Sequence, residues 1–119
     1  MKTESLNKLD YVRQSFNAAT SRTDRLEIGQ FLTPVSIAGF MSSLFEPRTK
    51  KVRILDPGAG AGVLFATCVK KLLSQKALPA SIEVAAYETD RAILRYLQET
   101  MNQCAELCKD KKVPFTGMI

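Results

Sequence analysis

The chain has 119 residues, 45% of them hydrophobic and 24% charged, as expected for a soluble globular chain of one domain or part of one. That balance excludes a disordered, collagen-like or membrane-spanning chain, since the longest apolar stretch, Ala61 to Val69, is broken by Thr67 and falls short of the ~18 residues a span needs. Seventeen Lys and Arg against twelve Asp and Glu leave +5 with no histidine, which removes the commonest general base and, with it, Ser-His-Asp and Cys-His catalysis.

At the start of the chain, Glu4, Asn7, Lys8 and Asp10 occupy the place of a signal peptide's apolar region, so the expected compartment is the cytoplasm. Leu6, Leu9, Val12, Phe16 and Ala19 recur at spacings of three and four, the pattern of an amphipathic helix with one buried stripe. A polar turn follows, then Gly29-Gln30-Phe31-Leu32-Thr33-Pro34 and an apolar run from Val35 to Phe45. Thr33 reads as the N-cap of that helix and Pro34 as its first residue. Arg48, Lys50, Lys51 and Arg53 then place four positive charges within six residues, and Lys109, Lys111 and Lys112 form a second basic group. Such clusters suit a polyanion such as DNA, or are simply solvated loop and helix-end positions; charge alone does not decide.

Val52 to Leu55 reads as a short buried strand running into Asp56-Pro57-Gly58-Ala59-Gly60-Ala61-Gly62, and an apolar helix follows from Val63 to Leu73. Ile82 to Tyr87 is a second strand, apolar enough to be covered on both faces. Glu88-Thr89-Asp90 stands at its end, with Asp90 read as a helix cap, and residues from Ile93 to Cys108 trace one side of a long helix. Cys68, Cys104 and Cys108 are read as core residues, because an odd count makes no disulfide framework and the ligands of a metal site are lacking. The fold class is therefore α/β, a βαβα half of a Rossmann-like domain preceded by N-terminal helices. Residues 1–50 form the helical segment and 51–119 the first half of the α/β domain. Two strands do not complete such a sheet, so the chain reads as a fragment or a truncated protein, with Val113-Pro114-Phe115 able to lead into a third strand.

A glycine turn between strand and helix lets a ligand approach the backbone at the helix N-terminus. This loop is not a Walker A sequence, and its third glycine follows the second by two residues where a dinucleotide loop has three. Asp56 would repel a pyrophosphate but suits a ligand with a cationic amino group. S-adenosylmethionine is such a ligand. Glu88, at the next strand end, can accept ribose hydroxyls. The competing reading of both acids is an exposed loop acid or a helix cap.

The Asp56–Gly62 loop resembles motif I of S-adenosylmethionine-dependent methyltransferases, and Tyr87-Glu88-Thr89-Asp90 resembles motif II. Gly29 to Pro34 is similar to motif X of the adenine-N6 DNA methyltransferases of restriction–modification systems, in an order that fits that class. The resemblance implies S-adenosylmethionine as cofactor and DNA as partner of the full parent protein. It further implies that Phe31 and Thr33 border the methionine end and that Asp56, with Pro57 beside it, lies near the amino group. Gly58 and Gly60 would allow close approach, Glu88 would hold the ribose, and Thr89 would lie beside the adenine. The Asp/Asn-Pro-Pro-Tyr/Phe motif that binds a flipped adenine does not occur. No catalytic residue and no metal ligand is therefore assigned, and the isolated chain is expected to be inactive. Two alternatives stand beside this reading: a methyltransferase of RNA or protein, and a non-catalytic module that associates with a partner or itself through an exposed strand edge.

Overall fold

The computed structural model describes residues 33–119. The helix expected over residues 6–19, and Phe31 with most of motif X, lie outside the described residues. The elements run α1 (Val35–Ser43), β1 (Lys51–Asp56), α2 (Val63–Ser74), β2 (Ser81–Ala86), α3 (Leu94–Asp110) and β3 (Phe115–Met118). The strands form one sheet in the order β1-β2-β3. Both pairings are parallel, with Ile54 opposite Val84 and Val84 opposite Gly117. The strands step in one direction across the sheet, so right-handed crossovers place α2 and α3 on the same face, where the two helices touch.

The core lies between that face and the helices. Val52, Ile82, Val84 and Ala86 point into it from the sheet, Phe65, Val69 and Leu72 from α2, and Leu97, Cys104 and Cys108 from α3. In α2 and α3 these positions recur at three and four, the helical period that the sequence already shows. Burial pushes the Cys104 thiol up to about 12 and that of Cys108 to about 11, so both behave as small apolar core groups at neutral pH.

Two sequence expectations are corrected here, the cover of the strands and the cap of α1. The partial Rossmann-like fold is as expected, and the third strand into which Val113-Pro114-Phe115 leads extends the unit from βαβα to βαβαβ. Its register runs from Ile82 opposite Phe115 to Ala85 opposite Met118. Among the described residues the strands are covered on one face only: Arg53, Leu55 and Glu83 of the alternate face are exposed, as are Thr116 and Met118. On that open face Arg53 Nε pairs across the strands with Glu83 Oε2 at 3.0 Å. Thr33 does not cap α1; Pro34 holds the N-cap position in extended conformation, without a side-chain cap bond. Proline's fixed φ suits this first corner equally well, and the Pro34 carbonyl accepts the Ala38 N–H at 3.0 Å.

α1 is anchored to α2 by polar contacts. The buried Ser42 hydroxyl donates to Thr67 Oγ1 at 2.7 Å, and Thr67 donates in turn to the Val63 carbonyl at 2.9 Å. Lys71 Nζ donates to the Ser43 and Phe45 carbonyls, supplying donors to the carbonyls that every helix C-terminus leaves unpaired.

Charge is sorted along the strand direction. Every connection leading into a strand carries cations: Arg48 and Lys50 before β1, Lys76 before β2, Lys111 and Lys112 before β3. The carboxylates of Asp56, Glu88 and Asp90 stand where β1 and β2 end.

Candidate functional site

The hydrogen bonds between β1 and β2 continue past the strand ends. The Tyr87 N–H donates to the Asp56 carbonyl at 2.9 Å, and the Ala59 N–H donates to the Tyr87 carbonyl at 3.0 Å. These bonds draw the glycine loop over the end of β2 and bring residues 56–60 beside 87–88. The loop then turns through two left-handed positions, Gly60 at φ 55° and Gly62 at φ 90°. Only glycine adopts these freely. Gly62 also caps α2, and a side chain there would collide with Phe65 and Thr100, its Cβ reaching 2.6 Å from the Phe65 ring. Gly58 differs: a Cβ on it meets nothing within 4 Å, so open space lies above its backbone.

Asp56 is 8% exposed. Its Oδ2 is buried and has no hydrogen-bond partner among the described residues. Burial raises its pKa above the usual carboxylate range; a hydrogen bond from the Gly58 backbone opposes the rise, and the nearby Glu88 charge adds to it. An orphaned carboxylate oxygen at the mouth of a glycine turn, with a second carboxylate near it, is an acceptor that lacks a cationic donor.

Glu88 accepts from three backbone donors. Its Oε2 accepts the Gly60 N–H at 2.8 Å. Its Oε1 accepts the N–H groups of Thr89 at 2.9 Å and Asp90 at 3.0 Å. One carboxylate thus ties the glycine loop to the loop after β2. Asp90 Oδ1 accepts the Ala92 N–H at 2.9 Å and so caps the turn that leads into α3.

Of the residues singled out from the sequence, Asp56, Gly58, Gly60 and Glu88 come together at this one place. Pro57 and Thr89 are exposed beside them. Thr33 stands half-buried ahead of α1, and no described hydrogen bond joins it to the loop; Phe31 lies outside the described residues. Sequence reasoning named Gly62 as the third glycine of the loop but gave it no role; the left-handed turn into α2 at φ 90° is what requires it. It also missed the latch that Glu88 forms on Gly60, for which no sequence signal exists.

A parallel α/β unit with such a loop between its first strand and the following helix is a partial Rossmann-like fold of the methyltransferase type. Comparison with known proteins narrows the class. A family model described as N-6 DNA Methylase matches residues 13–111. The chain is 34% identical over 100 residues to the Type II methyltransferase M.BsuBI of Bacillus subtilis, covering 83% of this chain and 19% of that protein. It is 32% identical over 112 residues to the Type II methyltransferase M.PstI of Providencia stuartii, covering 93% of this chain and 21% of that protein. No solved structure matches. The chain belongs to the N-6 DNA methylase family, and it spans about a fifth of the length of these curated relatives.

Proposed function

We propose that this chain is the cofactor-binding N-terminal part of an adenine-N6 DNA methyltransferase of a restriction–modification system, and that its glycine loop holds S-adenosylmethionine. The observation that carries this reading is the buried Asp56 Oδ2, without a hydrogen-bond partner among the described residues. A cationic amino group placed there gains a charge-assisted hydrogen bond, and the orphaned oxygen gains its missing donor. Open space over Gly58 leaves room for the ligand to lie against the backbone. Three of the four acceptor positions of Glu88 are taken by amides, so it offers a ribose hydroxyl the remaining one on Oε2. Thr89, exposed next to it, borders the adenine, and Pro57 lines the loop beside Asp56. Phe31 and Thr33 are assigned to the methionine end.

When bound, the cofactor supplies an electrophilic methyl group on sulfonium. This chain's residues bind and orient it, which is the positioning share of catalysis. The groups that would hold the target adenine of DNA are not among them, and in this reading residues 1–50 carry motif X and residues 51–119 form the first half of the cofactor domain. DNA, met in the cytoplasm, is the partner of the longer protein, whose remaining length packs on the open sheet face and the outer edge of β1.

Calorimetric titration of S-adenosylmethionine into the folded chain tests this. Saturable binding lost in Asp56→Ala and weakened in Glu88→Ala is expected, with no methyl transfer to DNA by the isolated chain. A folded chain whose affinity is indifferent to both substitutions would refute the assignment.

A further inference from the structure

The edge where the strands begin lies opposite the glycine loop. Two backbone bonds draw the connections together there: the Ala80 N–H donates to the Lys50 carbonyl at 2.8 Å, and the Ile82 N–H to the Pro114 carbonyl at 2.9 Å. Arg48, Lys50, Lys51, Lys76, Lys111 and Lys112 are all exposed along this edge. None of the six forms an ion pair with another described residue. The acids beside them are Glu46 and Asp110, and Lys109 offsets the second. The C-termini of α2 and α3 lead into the same edge, but a helix end carries only about −0.5 charge. An excess of about four positive charges therefore remains once both helix ends and Glu46 are neutralised. Arg48, Lys50, Gln75 and Pro79 also line a groove of about 230 Å³ between the connections into β1 and β2. That is smaller than the ~300 Å³ of the least small-molecule sites, and suits one unit of a polymer backbone.

The backbone of Lys112 is a second, independent observation. Its N–H donates to the Lys109 carbonyl at 3.0 Å and the Val113 N–H donates to the Cys108 carbonyl at 2.9 Å, the bond pair that closes a helix through a left-handed residue. That residue is Lys112, at φ 58°, a place where glycine carries no steric cost. A lysine is a strained choice there for structure alone. We propose that this edge binds the phosphate backbone of duplex DNA, along a segment other than the one presented at the glycine loop. Three strands set the edge at about 10 Å across, and duplex DNA carries one charge per ~1.7 Å of its axis, so the cations meet several phosphates together. A single strand would call for aromatic rings to stack on its bases, and the exposed aromatics of the described residues, Phe40 and Tyr87, lie on α1 and at the loop. The two ends of the sheet are ~20 Å apart and DNA is stiff over ~150 bp, so one straight segment does not lie across both. The choice of DNA among polyanions rests on the proposed function; the surface itself does not depend on the ligand of the glycine loop.

Fluorescence anisotropy of a short labelled duplex, titrated with the full chain at several salt concentrations, tests this. Each phosphate contact adds about 0.9 to the slope of log affinity against log salt, so a slope of about −3 to −5 is expected. Lys50→Gln, Lys76→Gln and Lys111→Gln together should flatten it by about 2.7, and each alone should weaken binding about tenfold at ~50 mM salt. Arg91→Gln removes the same charge at the loop end and is expected to change neither. Lys112→Gly is expected to lose affinity with a urea midpoint no lower than that of the parent, a pairing that a merely structural lysine would not give. The triple variant should still bind S-adenosylmethionine as the parent chain does, so failure of the cofactor reading and failure of this one register separately. A chain that does not bind duplex, a slope that the triple variant leaves unchanged, or parent affinity in Lys112→Gly would overturn the proposal. An equal loss in Arg91→Gln would overturn it too, as would tighter binding at the same salt to single-stranded DNA or to vesicles of anionic phospholipid.

Discussion

Gly62→Ala tests how the glycine loop is built. At φ 90° an alanine sits in the left-handed region, which costs about 1–2 kcal/mol. Its Cβ would stand 2.6 and 2.8 Å from Phe65 ring carbons and 2.9 Å from the Thr100 methyl. Both neighbours are 1% exposed and have no solvent to move into, so the overpacking adds about 1–3 kcal/mol. The sum, about 2–5 kcal/mol, is a large part of the 5–15 kcal/mol that usually holds a domain together. Gly58→Ala is the matched control: with nothing within 4 Å of the added Cβ, its stability change is expected within about 0.5 kcal/mol. Urea unfolding followed at 222 nm separates the two. A Gly62→Ala midpoint equal to that of the parent chain would refute both the strain and the clash.

The same loop predicts a pH effect. The folded chain keeps the Asp56 proton to a higher pH than the unfolded chain does, so the stabilisation from this group is complete below the unfolded pKa of about 4. It is lost as pH rises through the raised folded value. Asp56→Asn is expected to flatten the fall of the urea midpoint above pH 4, and an unchanged slope would contradict the burial argument. Glu88→Ala removes the acceptor of the Gly60 N–H. Hydrogen exchange at that amide should quicken at least about tenfold, from the 1.5–3 kcal/mol of a bond to a charged group; unchanged protection would show that the latch contributes nothing. Thr67→Val takes from the Ser42 hydroxyl, 3% exposed, its 2.7 Å acceptor and leaves it the weaker contact with Cys68 Sγ at 3.4 Å. The expected loss is about 1–3 kcal/mol, read as a lower urea midpoint, and a Thr67→Val chain as stable as its parent would dismiss the Ser42–Thr67 contact as a stabilising one.

Much of the fold is legible in the residue pattern because helical burial has its own period. Phe65, Val69 and Leu72 on α2, like Leu97, Thr100, Cys104 and Cys108 on α3, are the buried positions that spacing singles out. The strands were less transparent. Leu55 and Ala85 face away from the helices yet are as apolar as their buried neighbours, so composition suggested two covered faces where only one is covered among the described residues. β3 was obscure for a different reason: four residues with a central glycine, buried only in part, carry almost no strand signal. At the site, the meeting of Asp56 with Glu88 follows from topology, since parallel neighbours end at the same edge of a sheet. The occupation of Glu88 by three amides depends on loop dihedrals that no spacing encodes.

The sorting of charge along the strands has an electrical consequence. Within residues 33–119 the mouth of the glycine loop, with Asp56, Glu88 and Asp90 against Arg91, is the negative end, and the connections entering the strands, with five cations against Glu46, are the positive end a strand length away, ~20 Å for six residues. With a Debye length of about 8 Å at physiological salt, each pole acts on its own surroundings. A small cation is drawn to the loop, whereas a nucleic-acid backbone finds a repulsive surface there and an attractive one at the far end. In the proposed reading, therefore, a polyanion brought to the loop draws on positive charge other than that of the connections leading into the strands.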